Sequence, residues 1–105
     1  MEISTNKNGS ALTICISGRL DTQTAPALEK TLDDNLPGAT AVSFDLAGLT
    51  YTSSAGLRVF LKARKAMQGQ DDVRLTHVCE GIMEILEMTG FTELMTVEKD
   101  DETLE

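Results

Sequence analysis

The sequence predicts one α/β domain built on a mixed, mostly parallel sheet of four to five strands with three to four helices. Three observations carry this. Segments that are apolar at every second position alternate along the chain with segments that repeat every three to four residues. An Asn8-Gly9 pair stands between the first two strand-like runs, where it favours a hairpin turn. At 105 residues, 41% of them hydrophobic, the chain is long enough for one core and too short for two. Strands that alternate with helices are joined by right-handed crossovers and lie parallel, and the hairpin adds one antiparallel pair.

The elements follow in order. Ile3 to Thr5 open the first strand, and Leu12, Ile14 and Ile16, alternating with Thr13, Cys15 and Ser17, give a clearer second one. A helix comes next: Asp21, Thr22 or Thr24 caps it, and Pro26 suits its first turn, where a missing N–H is no loss. Ala25, Leu28 and Leu32 form its buried face and Leu36-Pro37-Gly38 ends it. Val42, Phe44 and Leu46 alternate with Ser43 and Asp45 as a half-buried strand. Gly56, Val59, Phe60, Ala63 and Met67 then share one face of a helix that closes at Gly69. Val73, Leu75 and His77 alternate with Arg74, Thr76 and Val78 in a further strand. Ile82, Ile85, Leu86 and Thr89 mark a short helix stopped by Gly90, and Leu94, Met95 and Val97 form an edge strand. The tail from Lys99 to Glu105 is acidic and reads as a frayed end.

Nine Lys and Arg against seventeen Asp and Glu leave a net charge of −8. Nucleic acid binds basic surfaces and aromatic stacking platforms, and a chain this acidic, with one Tyr, three Phe and no Trp, offers neither. The first residues, Met1 to Asn6, lack the basic stretch and apolar run of a signal peptide, and no apolar segment approaches bilayer length. A cytoplasmic protein with no direct membrane insertion is expected. Cys15 and Cys79 have no paired spacing, so neither a disulfide framework nor a zinc site is indicated. His77 is the only histidine, and a metal needs three or four converging ligands; no metal and no other cofactor is expected.

Chemistry, if the chain performs any, concentrates in Thr52-Ser53-Ser54, a run of hydroxyls between an apparent strand and an apparent helix. Unpaired N–H groups and the macrodipole at a helix start favour an anion, so the turn suits a phosphate. Ser and Thr are also the favoured N-caps, and the same run serves orphan donors with no further role. Local pattern leaves both open.

The run Phe44-Asp45-Leu46-Ala47-Gly48-Leu49-Thr50-Tyr51-Thr52-Ser53-Ser54-Ala55-Gly56-Leu57 resembles the central motif of the bacterial anti-sigma-factor antagonists, the small STAS domains of partner-switching systems. That motif reads hydrophobic, Asp or Asn, Leu, and after several residues Asp-Ser-Ser/Thr-Gly-Leu. Gly18-Arg19-Leu20-Asp21-Thr22-Gln23-Thr24-Ala25 resembles the Gly-x-Leu-Asp-x-x-Thr-Ala segment that opens the family's first helix. The resemblance covers nearly the whole chain and implies a single STAS-like domain over residues 1–105, with the family's last helix starting in the acidic tail. It places Ser54 on the phosphorylated serine and Asp21 near it. Ser53 stands where the family carries Asp, and Ala55 on its second hydroxyl, which alters what a kinase meets.

The resemblance implies a regulatory binding module, not an enzyme. Unphosphorylated, such a module binds an anti-sigma factor that is also a serine kinase; phosphorylation of Ser54 breaks the complex, and a PP2C-type phosphatase restores it. The implied partner surface comprises Asp21, Thr22, Ser53, Ser54, Gly56, Leu57, Arg58, Leu61 and Lys62. Arg58, Lys62 and Lys65 form a narrow basic stripe opposite the buried helix face, either a solvated face or a match for an acidic groove. Leu57 and Leu61 flank it and either pack on a neighbouring helix or form the apolar centre of a binding patch. A second class is a non-switching STAS adaptor, such as the accessory subunit of a lipid or anion transporter. A serine-nucleophile enzyme is disfavoured, since there is no Gly-x-Ser-x-Gly elbow and the only candidate base, His77, lies on another strand.

Overall fold

The computed structural model describes residues 1–70 and 73–99. An antiparallel hairpin opens it: β1 (Glu2–Asn8) and β2 (Ala11–Leu20) pair from Glu2–Ser17 to Asn8–Ala11 around Gly9, which turns the chain at φ 65°. There follow α1 (Ala25–Asn35), β3 (Ala41–Thr52), α2 (Ser54–Ala66), β4 (Arg74–Val78), α3 (Glu80–Met88), α4 (Phe91–Leu94) and β5 (Thr96–Lys99). The five strands lie in the order β1-β2-β3-β4-β5, antiparallel for the first pair and parallel for the rest.

That order decides where the helices go. Each crossover advances one strand in the same direction, and right-handed connections of that kind put every helix on one face of the sheet. Burial agrees: Leu12, Ile14, Val42, Phe44, Leu46 and Leu75 are sealed under helices, while Thr13, Cys15, Ser43, Asp45 and Thr76 on the opposite face are half-buried. The open face is polar, as a one-sided sheet must be. Under the helices, Leu28 and Leu32 of α1, Phe60 and Ala63 of α2, and Ile82 and Leu86 of α3 complete the core. Phe44 and Phe60 meet edge to face at its centre, ring centroids 4.9 Å apart.

Two expected elements differ. In β4 the strict alternation fails: Leu75 and Val78 both point inward, and His77 sits between them at φ 55° on the exposed side. The β4–β5 register shifts between Leu75 and Val78, so His77 is a bulged residue, and the left-handed step lets two apolar residues three apart reach the same core. Near the end, Leu94 does not start the edge strand. It closes the one-turn helix α4, Met95 is buried at the bend, and the strand begins at Thr96. Lys99 ends β5 rather than opening a frayed tail; the expected last helix falls on residues 100–105, outside the described residues.

Candidate functional site

The turn between β3 and α2 divides its hydroxyls between two tasks. Ser53 is the N-cap: its backbone is extended, and its Oγ accepts from the Ala55 N–H at 3.2 Å. Its carbonyl accepts from the N–H groups of Gly56 and Leu57, and its own N–H donates to the Leu20 carbonyl at 2.9 Å. Ser53 is thereby tied down on all sides. Ser54 occupies the first helical position, exposed, and its hydroxyl makes no hydrogen bond among the described residues. Thr52 is 5% exposed and donates its hydroxyl to the Ser53 carbonyl.

Gly56 lies where α2 crosses β2. A Cβ there would come within 2.6 Å of both Leu20 Cδ2 and Thr52 Oγ1, so the absence of a side chain is what lets the helix start this close to the sheet. The Ser53–Leu20 bond and this contact lock the end of β2 against the start of α2. Asp21 is the next residue on. Its Oδ1 accepts from the N–H groups of Gln23 and Thr24, while the Thr24 hydroxyl accepts from the Asp21 N–H at 2.8 Å. Thr24 is the backbone N-cap of α1, yet its hydroxyl turns back to the Arg19 carbonyl and caps no N–H of the first turn; the Asp21 carboxylate instead closes the turn that leads into the helix. The N–H groups of Gln23 and then Thr24 hold the Asp21 carboxyl below the usual carboxylate range.

A groove of about 440 Å³ runs between α1 and α2, lined among others by Thr22, Pro26, Ala55, Arg58, Val59 and Lys62. Thus Thr22, Arg58 and Lys62 of the predicted set meet, next to Ser53 and Ser54. The basic stripe does not survive intact. Lys62 reaches across to α1 and holds Glu29 at 2.7 Å and Asp33 at 3.0 Å, and hydrogen bonding to Glu29, then Asp33, raises its pKa. Leu57 is buried and Leu61 half-buried against the core, so both take the packing alternative. Gly56 and Leu57 shape the site from beneath, whereas Asp21, Thr22, Ser53, Ser54, Arg58, Leu61 and Lys62 retain accessible surface.

One pair beside the site was not foreseen. Arg19 and Tyr51 are register partners on β2 and β3, and the Arg19 guanidinium lies 4.2 Å from the centroid of the Tyr51 ring, itself 37% exposed. Elsewhere, on the open sheet face, Asp45 Oδ1 lies 3.2 Å from His77 Nδ1, and its Oδ2 faces the Cys15 thiol at 4.0 Å, beside a hollow of about 510 Å³. This places His77 on the face away from α2, where it has no access to Ser53 or Ser54. Cys15 and Cys79 are unlinked, and among the described residues no three His, Cys, Asp or Glu converge to hold a metal. No described helix is long and apolar enough to cross a membrane.

A one-sided mixed sheet with an exposed serine at the head of α2 defines a class, and sequence comparison agrees with it: the family described as Mlab, STAS domain, matches residues 3–97, so the chain belongs to the STAS domain family. Among its relatives are proteins named as anti-sigma factor antagonists. It is 33% identical over 89 residues to the anti-sigma-B factor antagonist of Staphylococcus epidermidis, covering 83% of this chain and 82% of that one. In fold it is similar to an anti-sigma factor antagonist from Mycobacterium paratuberculosis, with a TM-score of 0.84 at 17% identity over 92% of this chain and 84% of the other. It is also similar to the phosphorylated form of the Bacillus cell fate determinant SpoIIAA, with a TM-score of 0.73 at 12% identity over 98% and 96% of the two chains.

Proposed function

We propose that this chain is an anti-sigma factor antagonist switched by phosphorylation: unphosphorylated, it binds an anti-sigma factor that is also a serine kinase, and phosphorylation of Ser54 releases it. The observation that carries the reading is the division of labour at the turn. Ser53 satisfies the helix cap, and the neighbouring hydroxyl of Ser54 stands exposed with no internal partner, free to be modified without unmaking the helix start. Relatives named as anti-sigma factor antagonists, and a similar fold solved in a phosphorylated form, support the same role.

The chemistry is a phosphoryl transfer. The Ser54 Oγ attacks the γ-phosphorus of ATP held by the kinase, the bond to the β-phosphate oxygen breaks, and ADP leaves while the hydroxyl proton goes to a base on the kinase. A PP2C-type phosphatase reverses the modification by hydrolysis, returning the serine and inorganic phosphate. The phosphate brings about −1.5 to −2 charges to the turn. Within the monomer it is tolerated, because the macrodipole of α2 favours an anion by up to ~1 kcal/mol. In a complex centred on the turn it is not, since the partner must desolvate it and meet its charge. Incubation with the cognate anti-sigma kinase and ATP, followed by mass spectrometry, tests the site: phosphate on Ser54 is expected. Phosphate on Ser53 moves the site by one residue, and none on either serine supports a non-switching adaptor.

A further inference from the structure

We propose that Arg19 and Arg58 are two cationic contacts, one on each side of the Ser53-Ser54 turn, through which this chain holds an acidic surface of its protein partner. The proposal rests on the binding role given to the turn above and adds the chemistry that the partner must present.

On a molecule of net charge −8, cations find carboxylates easily, and several here do. Lys30 pairs with Asp34, Lys62 with Glu29 and Asp33, and Arg74 with Glu98. Lys7 and Arg64 donate to the carbonyls of Pro37 and Leu94. Among the described residues Arg19 and Arg58 do neither, and both border the turn. Lys65 and Lys99 also lack such partners, but one lies near the far end of α2 and the other two strands away from β3.

The fold puts these guanidinium groups on opposite sides of the hydroxyls. Leu20 and Thr52, the register pair after Arg19 and Tyr51, are buried under the helices, so Arg19 and Tyr51 point to the open face. Stacking on the Tyr51 ring holds Arg19 in place and reduces the entropy it loses on binding. Asp21 feels the Arg19 charge, which helps to lower its pKa, but its carboxylate accepts from the Gln23 and Thr24 N–H groups and forms no ion pair with Arg19 among the described residues. On the helix side, Arg58 follows Ser54 by four residues, one turn along the same face of α2, at the groove with Thr22 and Val59. A guanidinium fork matches a carboxylate bidentately, and Arg and Tyr are the residues that dominate interface energies. The fitting occupant is therefore a protein surface that offers carboxylates on both sides of an apolar group able to cover Tyr51. The net charge of −8 on the whole chain repels a nucleic acid or an anionic membrane.

The same placement gives the switch a second arm. A phosphate on Ser54 stands at i, i+4 from Arg58, pairs with it inside the chain, and withdraws that cation from the partner.

Surface plasmon resonance against the purified cognate anti-sigma factor tests the surface, with Arg19→Glu, Arg58→Glu and Tyr51→Ala at several salt concentrations and circular dichroism as the folding control. Each charge reversal is expected to weaken binding about tenfold or more, mostly through the association rate, with the difference shrinking as salt rises. Wild-type affinity should itself fall with salt, a readout that survives if a variant misfolds. Unchanged affinity in both reversals, or a wild-type affinity indifferent to salt, overturns the surface. If Ser54→Asp loses binding in the same assay while both reversals keep it, the surface is wrong and the switch stands. If the wild type does not bind, the switch fails and the surface with it.

Discussion

Gly56→Ala pits a gain in helix propensity against a loss of fit, and the structure says which wins. Alanine is worth up to ~1 kcal/mol over glycine inside a helix. Against this, the new methyl would lie 2.5 Å from Leu20 Cγ, 2.6 Å from Leu20 Cδ2 and 2.6 Å from Thr52 Oγ1. Leu20 is fully buried and Thr52 is 5% exposed, so neither has free space to retreat into. Overpacking of a filled site costs about 1–3 kcal/mol, and three such contacts place this one near ~3. The net expectation is a loss of about 2 kcal/mol, or roughly 10 °C in Tm for a domain of this size. Urea denaturation followed by circular dichroism measures it, as a lower midpoint at unchanged slope. An Ala variant as stable as the wild type, or more so, would refute the close approach of α2 to β2 that sets the position of Ser53 and Ser54.

Phe60→Ala is expected to cost about 3–5 kcal/mol, because the ring is fully buried and loses its edge contact with Phe44; a loss below ~1 kcal/mol would mean that α2 turns another face to the sheet. The lowered pKa of Asp21 means that its carboxylate contributes stability that is complete above the ordinary carboxylate range, about pH 4, and is lost as pH falls through its folded value. Asp21→Ala should therefore melt below the wild type near neutrality and converge with it in acid, as thermal melts across that range would record; a gap independent of pH would mean that Asp21 stabilises without its charge.

Much of this fold was legible in period and turn chemistry alone. The face formed by Gly56, Val59, Phe60, Ala63 and Met67 is buried as its spacing implies, and the expected hairpin forms, though it turns at Gly9-Ser10, one residue on, with Asn8 still paired to Ala11 as the last residue of β1. What escaped depends on contacts between distant residues. His77 breaks the period of β4 because the core has room for both Leu75 and Val78, a packing decision that no local pattern records. Leu94 was drawn into the strand by its hydrophobicity, whereas buried Phe91 and Met95 anchor the extra turn of α4. At the site, the hydroxyl cluster was visible, but local pattern does not say which hydroxyl caps the helix; the extended backbone of Ser53 and its bond to the Ala55 N–H decide that. Lys62 counted as free until α1 brought Glu29 and Asp33 against it. Arg19 and Tyr51 stand thirty-two residues apart in the chain and became a pair only through the β2–β3 register, for which the sequence holds no short-range signal.

The most direct measurement is the affinity of one protein preparation for its cognate anti-sigma factor before and after phosphorylation on Ser54, read by isothermal titration calorimetry with Ser54→Ala taken through the same treatment. The unphosphorylated chain and Ser54→Ala are expected to bind alike. The phosphorylated chain should bind about thirtyfold or more weakly, the ~2 kcal/mol scale of a disrupted hot spot, while its circular dichroism stays that of the folded domain. Equal affinity before and after modification, with the phosphate verified on Ser54, would contradict the switch.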